Sequence, residues 1–231
     1  MSNGNEGLFT QCASPLLFFI KNGYTVAIMA LTELYFRYSS MYDRTLALLA
    51  GGVISEQQIA EGFEFAKKYA VYWQEKNSII FEYYKNIGLI LPDFWFAYPV
   101  HSQPHTGLIP FDDPLTFFIT KDFDKAGATI IHELCHNFFG YFANSKRAEK
   151  LWNPVTKMFV KEPIDVQQHI LINALASGGY FQVFGETVAI DLIKHEMTFP
   201  SLTRSWQLLS DHVDNQLHLL RNPVNIIESL T

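Results

Sequence analysis

Residues 128–140 read Ala-Thr-Ile-Ile-His-Glu-Leu-Cys-His-Asn-Phe-Phe-Gly, and the five from His132 to His136 form an HExxH sequence. At about 100° per residue, side chains four apart on an α-helix lie roughly 40° from each other and about one turn along the axis. Two imidazoles so placed can converge on one metal ion. Glu133 follows the first histidine and reaches the position left open on that ion, where a carboxylate can take a proton from water. The flanking residues supply the helix: Asp122 or Asp124 can cap it, and from about Lys125 to Phe142 the chain is apolar around most of its circumference. Two histidines and a glutamate are costly to bury there unless a metal or hydrogen bonds compensate.

Upstream of this helix the character of the chain changes twice. Residues 92–121 carry two short aromatic and β-branched runs, Phe94 to Tyr98 and Leu115 to Ile119, bounded by prolines at 92, 99, 104, 110 and 114. They predict a small antiparallel or mixed sheet, with the prolines at edges and turns. Before it, from Tyr24 to about Leu91, the pattern is helical and suits two or three helices. Ser55 and Gln58 make a capping box there ahead of Ile59, Phe63, Ala66, Ala70 and Trp73, whose three- and four-residue steps form one apolar stripe.

Downstream, Asn144 to Lys150 reads as a polar turn, and Pro154 is expected to stop any long helix through Trp152. Pro163 opens a helix over about Asp165 to Ala176 that Gly178-Gly179 should interrupt, with further helices at about Tyr180 to Glu196 and Ser201 to Arg221. The predicted architecture is α+β and mostly helical, one domain over 1–231. It comprises a helical part at about 1–91, the sheet at 92–121, and a metal-binding helical part at 122–231.

The motif and its helix resemble the active-site helix of the HExxH zincin metallopeptidases. That resemblance implies a zincin-like fold with a twisted sheet before the helix and helices after it, a bound Zn2+ ion, and a peptide or protein substrate. The metzincin form, HExxHxxGxxH, is excluded, because Phe139 and Phe142 stand where its glycine and third histidine would be, with Gly140 one place late. The deformylase pattern fails as well: Cys135 replaces its aspartate, and Cys12 sits in Gln-Cys-Ala rather than in a Gly-Cys context.

The third ligand is therefore sought downstream. His169 lies on the next helix with Asn173 one turn on, two polar positions among Val166, Ile170, Leu171, Ile172, Ala174 and Leu175, and Asn173 is a possible partner for its ring. Glu186, in Gly-Glu-Thr-Val-Ala, is similar to the ligand glutamate of the gluzincin branch, but Ile190 stands where that pattern has an acid, and Asp191 is one place late. His169 is the preferred ligand and Glu186 the alternative. Cys135 should point away from the ligands into the core, Tyr141 or Tyr180 are candidates for oxyanion stabilisation set against a packing role, and His101 and His105 lie in a proline-rich loop where they either rim a cleft or are simply exposed.

Composition narrows the partners. A net charge of -6 with no lysine or arginine cluster longer than a pair disfavours nucleic acid. Two cysteines do not make a disulfide framework. No basic residue precedes Lys21, and the apolar stretches Leu16 to Ile20 and Val26 to Leu31 fall short of the roughly 20 residues a span needs, so a soluble, cytoplasmic protein is expected. The activity expected is a zinc-dependent metallopeptidase or related amide hydrolase. The alternative is a metal-stabilised zincin-like protein that binds a peptide or protein without cleaving it.

Overall fold

The computed structural model describes residues 20–21, 24–25, 33–89, 94–101, 115–142 and 146–230. Strands β1 (Ile20–Lys21) and β2 (Tyr24–Thr25) pair antiparallel. Strand β3 (Glu33–Phe36) leads into helices α1 (Ser40–Leu49) and α2 (Glu56–Asn86), and then come strands β4 (Phe94–Val100) and β5 (Leu115–Phe118). The last three strands form one sheet in the order β3-β4-β5, with Tyr35 opposite Phe96 and Tyr98 opposite Thr116.

Both pairings are parallel, which corrects the antiparallel or mixed sheet expected from the sequence. The cause is the connection: α1 and α2 fill the stretch between β3 and β4, and a helical crossover returns the chain in the same direction. Residues 101–114, which separate β4 from β5, are likewise long enough for a crossover. The helical reading of 24–91 also fails at β2 and β3. In β3 the side chains of Leu34 and Phe36 are buried while that of Tyr35 is only partly so, a period-two signal too short to stand out against the helices around it.

Strand β4 is central and contains Pro99, which has no N–H for a ladder. The stagger of the sheet accommodates it. Arg37 N donates to the Ala97 carbonyl on one side and Ile119 N to the Val100 carbonyl on the other, so alternate residues of β4 bond to opposite neighbours. Pro99 falls on the β3 side, beyond the last β3 pair at Phe36 and Ala97.

The capping box that opens α2 forms as read: Gln58 N donates to Ser55 Oγ at 3.2 Å and Ser55 N to Gln58 Oε1 at 3.0 Å. Helix α3 (Phe123–Phe142) begins where Asp122 Oδ1 accepts from Lys125 N, and it packs between β5 and the long helix α5 (Ile164–Phe184). Ala126, Ala128, Ile130, Ile131, Leu134 and Cys135 are all buried there.

Three expectations about helix ends are corrected. Helix α4 (Lys146–Met158) runs through Pro154, because Ala148, Leu151, Pro154 and Val155 make one buried stripe whose packing outweighs the lost backbone bond. Helix α5 does not break at Gly178-Gly179. A Cβ on Gly178 would meet the Tyr83 hydroxyl at 2.0 Å and one on Gly179 the Tyr84 hydroxyl at 2.6 Å, so these glycines let α2 approach rather than end a helix. The break comes at Gly185, with φ of 79°, before α6 (Glu186–Glu196). Helix α7 (Pro200–His212) stops short of the expected Arg221, since Asp214 and Asn215 adopt positive φ; a 3-10 turn (Leu217–Arg221) and α8 (Pro223–Glu228) follow.

Helix α5 is the axis of the molecule. It touches α2, α3, α4, α6, α7 and α8, and every residue from Ile170 to Tyr180 is buried. Its first turns emerge from the core: Ile164 is 59% exposed, and burial becomes continuous only from Ile170. No helix among the described residues is long and apolar enough to cross a membrane.

Candidate metal centre

The emerging end of α5 faces the middle of α3, and His132, His136 and His169 meet there. Each offers one ligand nitrogen, and the three nitrogens lie within 4.8 Å of one another. Their ring centroids are 5.0 Å apart for His132 and His136, 5.0 Å for His136 and His169, and 5.9 Å for His132 and His169. His132 is 6% exposed, whereas His136 and His169 are half-buried, so one flank of the cluster opens outward.

Interatomic distances test the fit to an ion. Two nitrogens bound to one zinc at about 2.05 Å in tetrahedral array stand about 3.3 Å apart. The Nε2 atoms of His132 and His136 are 3.2 Å apart, as the four-residue helical spacing dictates. The ligand nitrogen of His169 lies within 4.8 Å of both.

Electrostatics prepare the same atoms. His169 Nδ1 lies 2.8 Å from the Asp165 carbonyl, which can only accept, so the proton sits on Nδ1 and Nε2 keeps its lone pair for a metal. Burial first, and then the neighbouring His136 and His169 rings, hold His132 well below the usual histidine range. Both effects favour the uncharged ring, the form that can ligate a metal.

Glu133 is half-buried on α3, one helical step from His132. Glu186, the alternative third ligand, is not brought to the cluster: it begins α6 exposed, paired with Arg221 at 3.1 Å. Asn173 is not a partner for His169 either. It is fully buried and donates to Ser205 Oγ at 2.9 Å, tying α5 to α7. Cys135 turns away from the three histidines, as its helical position requires, and lies 3.1 Å from the Tyr84 hydroxyl; burial pushes its thiol far up.

Tyr180 is buried in the core, where its hydroxyl donates to Glu196 Oε1 at 2.5 Å, so it takes the packing role rather than facing a substrate. His101 does not rim a cleft. Its Nδ1 lies 2.7 Å from Asp43 Oδ2 and its N–H donates to Asp43 Oδ1, fastening the end of β4 to α1. Cys12, His105 and the side chain of Tyr141 lie outside the described residues.

Among the described residues, Glu196 also stands beside the cluster, outside the set expected from the sequence. It is 5% exposed, burial pushes its carboxyl up to about 7 against the Tyr180 hydroxyl and the Trp206 indole, and its Oε2 lies 3.8 Å from His132 Nδ1. A signal was available. Ala189, Leu192, Ile193 and Glu196 follow the three- and four-residue steps of a buried stripe, and an acid at the last of these positions marks a carboxyl that must find a partner. Beside it, a cleft of about 190 Å³ follows the α3 turn before His132, lined by Phe118, Thr129, Leu192, His195 and Phe199.

No protein-family model matches the chain, and no curated protein or solved structure does. The chemistry of the site is therefore the basis for function.

Proposed function

We propose that the chain is a zinc-dependent hydrolase of peptide or related amide bonds, with His132, His136 and His169 as ligands and Glu133 as general base. The observation that carries this reading is the convergence of the three imidazoles, from two different helices, on the turn of α3 that also bears Glu133. Among the described residues the group comprises these three side chains. Three protein ligands with one position left open are the arrangement of catalytic rather than structural zinc sites. Imidazole ligands suit zinc along with the other late first-row divalent ions, whereas alkaline-earth ions, which take oxygen ligands, are disfavoured.

A bound zinc ion supplies Lewis acidity, which polarises a carbonyl and acidifies a water molecule to near neutrality. Glu133 accepts the proton of the attacking water and passes it to the departing amine. His132 and His136 set the distance between ligands through the helix itself, and His169 is oriented by its bond to the Asp165 carbonyl. The resemblance to the zincins enters through the motif, not through the sheet, which is wholly parallel among β3, β4 and β5.

The deciding experiment compares the zinc-loaded chain with Glu133→Gln on a mixed peptide library. The variant is expected to hold one zinc per chain and to lose turnover by roughly 10²- to 10⁴-fold, the usual weight of a general base. Loss of metal in the variant would make Glu133 a ligand. A zinc-loaded wild-type chain that binds peptides without cleaving them would leave the non-catalytic zincin-like reading instead.

A further inference from the structure

We propose that Glu196, held by Tyr180, positions His132 for metal binding by accepting the hydrogen of its Nδ1 atom; the inference rests on the metal reading above. His132 turns Nε2 toward His136 at 3.2 Å, which leaves Nδ1 on the opposite side of the ring. There it faces Glu196 Oε2 at 3.8 Å. Both atoms are buried and neither makes a hydrogen bond in this structure, although the Trp206 indole also bears on the Glu196 carboxyl. A buried donor and a buried acceptor are each destabilising when left unmade, and here the two are complementary and face each other.

The carboxyl is itself held. Tyr180, from α5, donates to Glu196 Oε1 at 2.5 Å, and the same hydroxyl lies 3.3 Å from the Ala128 carbonyl, one turn before His132 on α3. Three helices thus fix one carboxyl behind one ligand. A small rotation of the imidazole or carboxyl brings the 3.8 Å separation to a hydrogen bond of about 2.8 Å. In that bond the proton is held on Nδ1, the lone pair is held on Nε2, and the ring becomes a stronger ligand. His169 receives the same service from the Asp165 carbonyl. Glu196 touches no reacting atom and is a positioning residue.

The test measures zinc affinity by competition with a chromophoric chelator on the full chain, for wild type, Glu196→Ala, Glu196→Gln and Tyr180→Phe. Glu196→Ala is expected to bind zinc roughly 10- to 100-fold more weakly, Glu196→Gln, which keeps an acceptor oxygen without the charge, less so, and Tyr180→Phe least. Nitrogen-15 NMR of the zinc-loaded chain supplies a readout that a purely structural role would not move: a protected Nδ1–H on His132 in wild type that exchanges rapidly in Glu196→Ala. Unchanged affinity in Glu196→Ala, or a spectrum placing the metal on His132 Nδ1, overturns the proposal. Should the alanine variant fail to fold, the near-isosteric Glu196→Gln decides by the same affinity and the same resonance. A wild-type chain that binds no zinc overturns the metal reading itself, and is distinguished from failure of this inference, in which wild type binds and Glu196→Ala binds equally.

Discussion

Removing His169 should abolish most of the stabilisation that zinc gives the folded chain, and removing Glu186 should leave it intact. A metal that binds only the folded state stabilises it by about 2.7 kcal/mol when free zinc is about 100 times Kd. For a chain of 231 residues that is a rise in Tm of roughly 5–10 °C. Zinc sites with four ligands bind with about 10–16 kcal/mol, so one imidazole carries about 3 kcal/mol, or two orders of magnitude in Kd. At the same free zinc, His169→Ala therefore retains at most about 0.4 kcal/mol of the gain, a shift of roughly 1 °C. Glu186 is half-exposed and paired with Arg221 away from the cluster, so Glu186→Ala changes the metal-free stability by no more than about 0.5 kcal/mol and keeps the full zinc-dependent shift. Thermal melts in zinc buffers of fixed free concentration read both variants directly. The reverse outcome, a shift lost in Glu186→Ala and retained in His169→Ala, would refute the assignment of the third ligand to α5.

Gly179→Ala gains about 1 kcal/mol in helix propensity but puts a Cβ 2.6 Å from Tyr84 Oη and 2.9 Å from both Ile131 Cγ2 and Ile80 Cδ1, all in fully buried residues. Overpacking of about 1–3 kcal/mol should win, and urea unfolding that shows the variant more stable than wild type would contradict the tight α2–α3–α5 junction. In a Cys12→Ser background, Cys135 should react with thiol reagents only at the rate of global unfolding, because it is fully buried and its thiol is pushed up by burial; rapid labelling of the native, chelator-treated chain would place it at the site instead.

What was legible in the sequence was what depends on neighbours along the chain. The spacing of His132 and His136 is a property of one helical turn, and the separation of their nitrogens follows from it. The capping box at Ser55 and the strand runs at 94 and 115 are local in the same sense. The parallel direction of the sheet was not legible, because it is set by where α1 and α2 cross over. Nor was the passage of α5 through Gly178-Gly179, since what decides it is the Tyr83 and Tyr84 hydroxyls of another helix. A polar pair on an apolar helix points to His169 only in part: its neighbour Asn173 serves α7, and the ring is oriented by the Asp165 carbonyl four residues before it.

The geometry of α5 explains how distant residues reach one site. Its first turns leave the core, so a histidine placed there is half-buried and able to meet both a metal and the outside. Its last turn ends at Gly185, whose φ of 79° and ψ of 169° lie in a region that other residues enter only at a cost. That residue closes α5 and opens α6, which packs against both α5 and α3, and at its final position delivers Glu196 behind His132. A side chain at position 185 would meet no atom, so its constraint is conformational rather than steric. The reversal at Gly185 therefore matters to the histidine cluster although it lies far from the motif in sequence: it sets the path by which α6 returns, and with it the carboxyl that faces His132.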